Sequence, residues 1–363
     1  MTLVGGDCLK NKTVIICTVI LMLMMVAVGA LDIGFSEDST PTGEFFVEGE
    51  QPVATGTALP QEKEKPQGER PEDGWLFGFS SAGMGSDYYD ELQNILRGYI
   101  RQGHDTMIAM NPEADSDLQV QQLREMIELG VDAVFIRPVN REALSPVLKE
   151  LKEKNIAVIN MDQGAVEDGY SISVVDSDCF NAGFILSDYM VNNCEAGIDL
   201  YNKAKIVIFS EKGKSLGQQK IYGFREAIGD KFFWVEKEVI ISHEKEEIRK
   251  ELKKAMEEIE NFKYIFSVCD EITLSILEVC KEEGYSELRV FSVGGSPKLK
   301  KEMVEGNENL EAFAAESPQS LAMNAYSVMM QYLDGETVKR QYLTETFLIT
   351  KKNIEEYRVD RWQ

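Results

Sequence analysis

The chain has 363 residues, 44% of them hydrophobic, and a formal net charge of −24 at pH 7. A surface this acidic repels phosphate backbones, which excludes nucleic acid as a partner. The two histidines in the chain also leave little room for histidine-rich metal or triad chemistry.

From Thr13 to Leu31 the chain carries no charge and is dense in Val, Ile, Leu and Met. Lys10 and Lys12 precede this run; Asp32, Glu37 and Asp38 follow it. A bilayer core takes about 20 apolar residues as helix, and the positive flank stays cytoplasmic. Residues 1–35 are therefore expected to form a signal-anchor that crosses the lipid bilayer through residues 13–31. The rest of the chain then lies on the extracytoplasmic side of the cell membrane. A cleaved signal peptide is the rival reading, because Val28-Gly29-Ala30 is a passable cleavage site. Both give the same compartment. A buried core helix fits poorly, since the run is apolar on every face. Residues 36–73 hold half of the ten prolines and many acidic residues, so they read as an extended linker.

At Gly74 the pattern changes. Short apolar runs bounded by turn residues alternate with amphipathic stretches. The runs are Trp75–Phe79, Thr106–Met110, Ala133–Ile136, Ala157–Asn160, Ile172–Val175, Ile206–Phe209, Val239–Ile241, Tyr264–Val268, Val290–Val293 and Leu310–Ala314. Leu92, Ile95, Leu96 and Tyr99, or Leu144, Val147, Leu148 and Leu151, show helical spacing between them. This alternation predicts an α/β fold with parallel sheets covered on both faces. Its length exceeds one core, so two Rossmann-like lobes are expected.

In such sheets ligands bind beyond the carboxyl ends of the strands. The polar residues there are Ser80-Ser81, Arg137, Asp162-Gln163, Ser210-Glu211, Ser242-His243, Cys269-Asp270 and Gly294-Gly295-Ser296. Ser86 or Asp87, Asp178, Ser242 and Asp270 also precede helical periodicity and could simply cap helices. Cys179 and Cys194 would lie at opposite ends of one helix, roughly 22 Å apart, too far to bridge. Cys269 and Cys280 fail likewise, and no CxxC metal spacing occurs.

Enzyme motifs are fragmentary. Gly213-Lys214-Ser215-Leu216-Gly217 fits a nucleophile elbow, with Asp230 and His243 in hydrolase order. A polar stretch separates Ser215 from the preceding apolar run, so a serine hydrolase is only a distant alternative. His243-Glu244-Lys245-Glu246-Glu247 lacks the second histidine of a zinc protease. Gly83-Met84-Gly85 reaches Tyr88 where a dinucleotide loop needs Gly, and no Walker loop is present. No catalytic residue, cofactor or metal is assigned.

The order of several segments resembles the ribose-binding-protein-like, sugar-type branch of the periplasmic binding proteins over about Trp75 to Thr350. These are Ser86-Asp87-Tyr88-Tyr89, Glu128 to Ala133, Ile136-Arg137-Pro138, Ile156 to Asp162, Gly223-Phe224, Ile265 to Glu271, Gly295-Ser296-Pro297 and Leu333 to Glu336. The resemblance implies two lobes joined by a three-crossing hinge near Ser177, Glu316 and Glu345. Lobe one would hold residues 74–177 and 316–345, and lobe two 178–315 and 346–363. It implies a small polar ligand, a sugar or sugar derivative, held in the cleft for the membrane permease of an ABC transporter. A ligand sensor feeding a histidine kinase or chemoreceptor is the alternative.

Carried over by position, the implied ligand contacts are Tyr88, Tyr89, Arg137, Asp162, Gln163, Lys220, His243, Cys269, Asp270 and Glu316. The chain departs from the family pattern at several of them. Arg137 and Cys269 replace Asn, Gly294 replaces Asp, and Glu316 replaces Gln. Gln163 and Lys220 stand where arginines are expected. Arg137 could grip an anionic group or pair with Glu316 or Asp162. Lys220 could be a solvated helix lysine, and His243 either a cleft residue or an exposed loop residue.

Overall fold

The computed structural model of the protein describes residues 71–84, 86–161, 169–194, 203–211, 215–229 and 233–362. The expected anchor, and all but the last three residues of the linker, lie outside them. No helix of the described residues is long and apolar enough to cross a membrane.

The first lobe alternates β1 (Leu76–Ser81), α1 (Asp87–Gln102), β2 (Thr106–Met110), α2 (Ser116–Glu128), β3 (Ala133–Arg137), α3 (Arg141–Glu153), β4 (Ala157–Met161) and β5 (Ser173–Ser177). Its strands run parallel in the order 2-1-3-4-5, and β11 (Gln341–Thr344) adds a parallel edge beside β5. The period of two along β3 divides the core between the faces of the sheet. Ala133 and Phe135 pack with Leu92, Leu96 and Ile100 of α1, whereas Val134 and Ile136 pack with Leu123, Leu144 and Leu148 of α2 and α3. Burial on both faces explains why these strands read as unbroken apolar runs.

The second lobe repeats the plan. It comprises α4 (Cys179–Asn193), β6 (Ala204–Glu211), α5 (Ser215–Ile228), β7 (Phe233–Ile241), α6 (Lys245–Glu258), β8 (Phe262–Ser267), α7 (Asp270–Glu283), β9 (Arg289–Gly294), α8 (Pro297–Val304) and β10 (Leu310–Ala315). Strand order is 7-6-8-9-10, with β12 (Phe347–Thr350) antiparallel at the β10 edge. From β10 the chain enters α9 (Pro318–Leu333), whose Leu321, Ala322 and Ala325 belong to the first lobe's core. The chain thus passes between the two sheets three times: after β5, after β10, and between β11 and β12.

Two of these strands carry no clear signal in the sequence. β11 and β12 have four residues each and occupy sheet edges; β11 shows no apolar run, and Phe347-Leu348-Ile349 of β12 is too short to stand out. β7 extends from Phe233, well before the apolar Val239–Ile241; it is an edge strand whose middle carries the charged Glu236-Lys237-Glu238, which interrupts the apolar pattern.

Helix caps differ from expectation too. Asp178 caps α4 by accepting from Asn181 N at 2.9 Å. Ser86 makes no side-chain cap; its hydroxyl donates to Gly83 O instead. Ser242 is two residues early: its N–H and hydroxyl donate to Glu247, and Glu244 holds the cap position. Asp270 is the first residue of α7 and turns away to another loop, described below.

Helices α4 and α5 meet backbone to backbone. A Cβ on Gly183 would lie 1.9 Å from Lys220 O, and one on Gly223 would lie 1.9 Å from Phe180 O. This contact sets α5, and with it Lys220, against the crossing between the lobes. Gly223→Ala should force the helices apart and cost about 1–3 kcal/mol, read as a lowered urea midpoint. Gly98→Ala, in α1 with no atom within 4 Å of its new Cβ, should be neutral or stabilising.

Candidate functional site

Loops at the carboxyl ends of both parallel sheets enclose a cavity of about 630 Å³. The first lobe contributes an aromatic wall at the start of α1 and the β3 loop. The Tyr88 and Tyr89 rings meet edge to face at 5.0 Å, and the Tyr89 ring packs against Gly83, where a Cβ would lie 2.0 Å from it. The Arg137 guanidinium lies over the Tyr89 ring at 4.4 Å. Its Nε is buried without a hydrogen-bond partner among the described residues. Gln119, fully buried on α2, fixes the loop behind this wall. Its Nε2 donates to Ser80 Oγ at 3.0 Å and Arg137 O at 3.1 Å, while Oε1 accepts from Val139 N at 2.7 Å.

At the second crossing, Lys220 Nζ reaches Glu316 Oε2 at 2.8 Å and donates to Val268 O at 3.2 Å. The Cys179 thiol donates to Glu316 Oε1 at 3.5 Å. Lys220 is buried, not solvated, because the Gly183–Gly223 contact presses its helix against α4. Lys220 is the partner of Glu316, and Arg137 stacks on Tyr89; Asp162, the other pairing weighed for Arg137, lies outside the described residues.

Asp270 is buried and accepts from Gly295 N at 3.1 Å and Ser296 N at 2.7 Å. A Cβ on Gly294 would come within 1.7 Å of this carboxylate. Asp270 therefore occupies the space that a side chain at position 294 would fill, which accounts for glycine there. Burial raises its carboxyl from 3.8 to about 6, against the opposing pull of the Ser296 and Gly295 donors. Beside it, burial and the Glu211 carboxylate push the Cys269 thiol well up. His243 lines the cavity with a half-exposed ring, and its Nε2 meets Glu211 Oε1 at 2.5 Å.

Eight of the sequence-derived site residues, Tyr88, Tyr89, Arg137, Lys220, His243, Cys269, Asp270 and Glu316, line this one cavity. Asp162 and Gln163 lie outside the described residues, directly after β4. Sequence reading missed Trp362, whose ring meets Tyr88 at 5.1 Å and 90°. It stands in a polar stretch with no periodicity. What holds it is tertiary: the buried Lys300 ammonium on α8 donates to Arg358 O at 3.0 Å and Arg361 O at 2.8 Å. Ser215 opens α5, while His243, which a hydrolase reading requires, is engaged by Glu211.

The family described as periplasmic binding protein domain matches residues 77–337. Among curated proteins, the galactofuranose-binding protein YtfQ of Escherichia coli (strain K12) is 23% identical, covering 75% of this chain and 86% of the relative. The ribose import binding protein RbsB of Bacillus subtilis (strain 168) is 20% identical, covering 81% and 93%. Among solved structures, the binding-protein component of an arabinose ABC transporter from Shewanella sp. ANA-3, bound to α- and β-L-arabinofuranose, superposes with a TM-score of 0.68. It is 21% identical, over 77% of this chain and 93% of that one. These relatives are binding proteins by name, and the chain is a solute-binding domain rather than an enzyme.

Two outcomes follow from the buried charges. Lys220→Met leaves Glu316 without its cation and should cost about 2–3 kcal/mol. That is below the roughly 3–5 of a fully buried pair, because the side chains keep 10% and 15% exposure. Adding Glu316→Leu should restore part of the loss in chemical denaturation. For Asp270, a carboxyl raised to about 6 favours the neutral acid in the folded state. Its stabilisation is full below pH 3.8 and is lost as pH rises through 6. Relative to Asp270→Asn, the parent chain should lose at most about 1.4 kcal/mol per pH unit between pH 4 and 6, and nothing further above 7. Parallel denaturation curves at several pH values read this difference.

Proposed function

We propose that this chain, which belongs to the periplasmic binding protein domain family, captures a small polyhydroxylated ligand, a sugar or sugar derivative, between its lobes for an ABC importer. The observation that carries the reading is the cavity wall itself. Tyr89 offers a ring face held by Arg137, and the Arg137 Nε, buried with no acceptor among the described residues, supplies a donor. Aromatic faces cover the C–H side of a sugar, while fixed polar groups bond its hydroxyls. A guanidinium also favours a carboxylate or phosphate substituent, gripped bidentately. Arg137 replaces a neutral amide of the family pattern, so sugar acids and sugar phosphates belong beside neutral furanoses and polyols among the candidates.

The ligand contacts proposed are Tyr88, Tyr89, Arg137, Lys220, His243, Cys269, Asp270 and Glu316 from the cavity, with Asp162 and Gln163 carried by the family resemblance. Asp270 and Glu316 act mainly by fixing neighbours, because backbone N–H groups and Lys220 already engage them. Closure would bend the three crossings as a hinge, around the Trp362–Tyr88 ring contact that the structure already makes. The apolar run 13–31 holds the receptor at the membrane, and residues 36–73 give it reach to the permease. Fractionation of cells expressing the full chain tests that anchor: recovery in the soluble fraction would remove it.

A thermal-shift panel of the full chain against neutral sugars, polyols, sugar acids and sugar phosphates tests the ligand class. Ligand at 100 times its dissociation constant adds about 2.7 kcal/mol of stability. Silence across the whole panel would overturn the reading. For a hit, Arg137→Met should weaken binding by about 10–150-fold, the worth of one charge-assisted hydrogen bond. Asp162→Ala should abolish the shift, whereas Ser215→Ala should leave it intact.

A further inference from the structure

The cavity wall formed by the second lobe brings together a cluster whose side-chain types suit a chemistry beyond sugar contact. Glu211, His243 and Cys269 each offer one ligand atom, and these atoms all lie within 4.8 Å of one another. Their convergence is a property of the sheet. Glu211 ends β6, His243 follows β7 by two residues and Cys269 follows β8 by two residues. β6 pairs with both β7 and β8, so three neighbouring strand ends, spaced at about 4.8 Å, deliver the three side chains to one point.

The supports behind the cluster are built as well. Thr273 Oγ1 donates to Cys269 O at 2.8 Å and Ser267 Oγ does so at 3.2 Å, which fixes the turn carrying the thiol. Glu247 holds Ser242 through its N–H at 2.8 Å and its hydroxyl, fixing the residue before His243. Glu211 is 12% exposed and meets the imidazole Nε2 directly. Outer partners such as Thr273 and Glu247 orient ligands at real metal sites.

We propose that Glu211, His243 and Cys269 bind a borderline divalent cation, Zn²⁺ above all, on the cleft wall. A carboxylate, an imidazole and a thiolate suit that class of ion, while Mg²⁺ and Ca²⁺ take oxygen ligands. Three protein ligands leave the fourth tetrahedral position to water or to a ligand donor from the cavity that all three line. Binding exchanges the thiol proton for the metal: Cys269–SH and M²⁺ give the metal thiolate and H⁺, which passes to solvent. The ordinary alternative is a Glu–His hydrogen bond beside an inert, half-buried cysteine.

The test uses the full chain, reduced and stripped with a chelator, in equilibrium dialysis against Zn²⁺ and in Co²⁺ absorption. One tight Zn²⁺ equivalent is expected, with a near-ultraviolet thiolate-to-cobalt charge-transfer band. Loss of an outer partner costs about 10–100-fold in affinity. Cys269→Ser, His243→Gln and Glu211→Gln should each exceed that, and Cys269→Ser should abolish the band. Excess Mg²⁺ should not displace Zn²⁺. Far-ultraviolet circular dichroism of the metal-free variants separates a lost ligand from a lost fold. No stoichiometric Zn²⁺, or equal affinity in all three folded variants, means that the ion rides on the acidic surface and overturns the proposal. The sugar panel is read without metal, so the two readings fail independently.

Discussion

Everything in the molecule that bears on binding depends on where the chain crosses between its sheets. Parallel strands all end on one side, and the crossings leave each sheet from that side or its immediate edge. Ser177, Ala315 and Thr344 are the last residues of β5, β10 and β11. The two sets of strand ends therefore share one cavity, and each lobe adds a wall of loops and helix starts to it. Three short segments join the two sheets, and the main cores lie behind the sheets in separate clusters.

The polar groups around that cavity are mutually fixed. Lys220 exists as a buried cation because Glu316 and the Val268 carbonyl receive it. Asp270 exists as a buried carboxylate because two backbone N–H groups meet it, and desolvation still raises its pKa to about 6. Its carboxylate sits where a side chain at position 294 would lie, so the glycine there and the aspartate on α7 form one structural unit. A receptor lined with pre-oriented groups loses less entropy on binding than one that must order them.

Two residues that the resemblance marks as unusual for a sugar site lie in the same cavity. Arg137 brings a guanidinium onto the Tyr89 ring, and Cys269 brings a thiol to the Glu211–His243 pair. These changes alter the chemistry of the walls while leaving the strand order untouched. Fold and ligand class are separable for this reason: the sheets are specified by buried apolar side chains, the cleft by residues just beyond them.

By itself the sequence determined the α/β alternation, the two lobes and eight of the residues that line the cavity. Buried parallel strands are apolar runs on any reading, and the residue after such a run lies at a ligand-facing end. The short edge strands β11 and β12 have only four residues each, so their pairing partners reveal them better than their own pattern does. The partners of the cleft charges were also beyond linear reading. Lys220 is distant in sequence from Glu316, and a helical lysine in isolation reads as solvated. The backbone contact of Gly183 and Gly223 turns it inward. Trp362 reaches Tyr88 only because a buried lysine on α8 grips the carbonyls around it. Local patterning records which residues are buried in regular elements. Which distant side chains meet is decided by packing, and in this protein that decides the chemistry of the site.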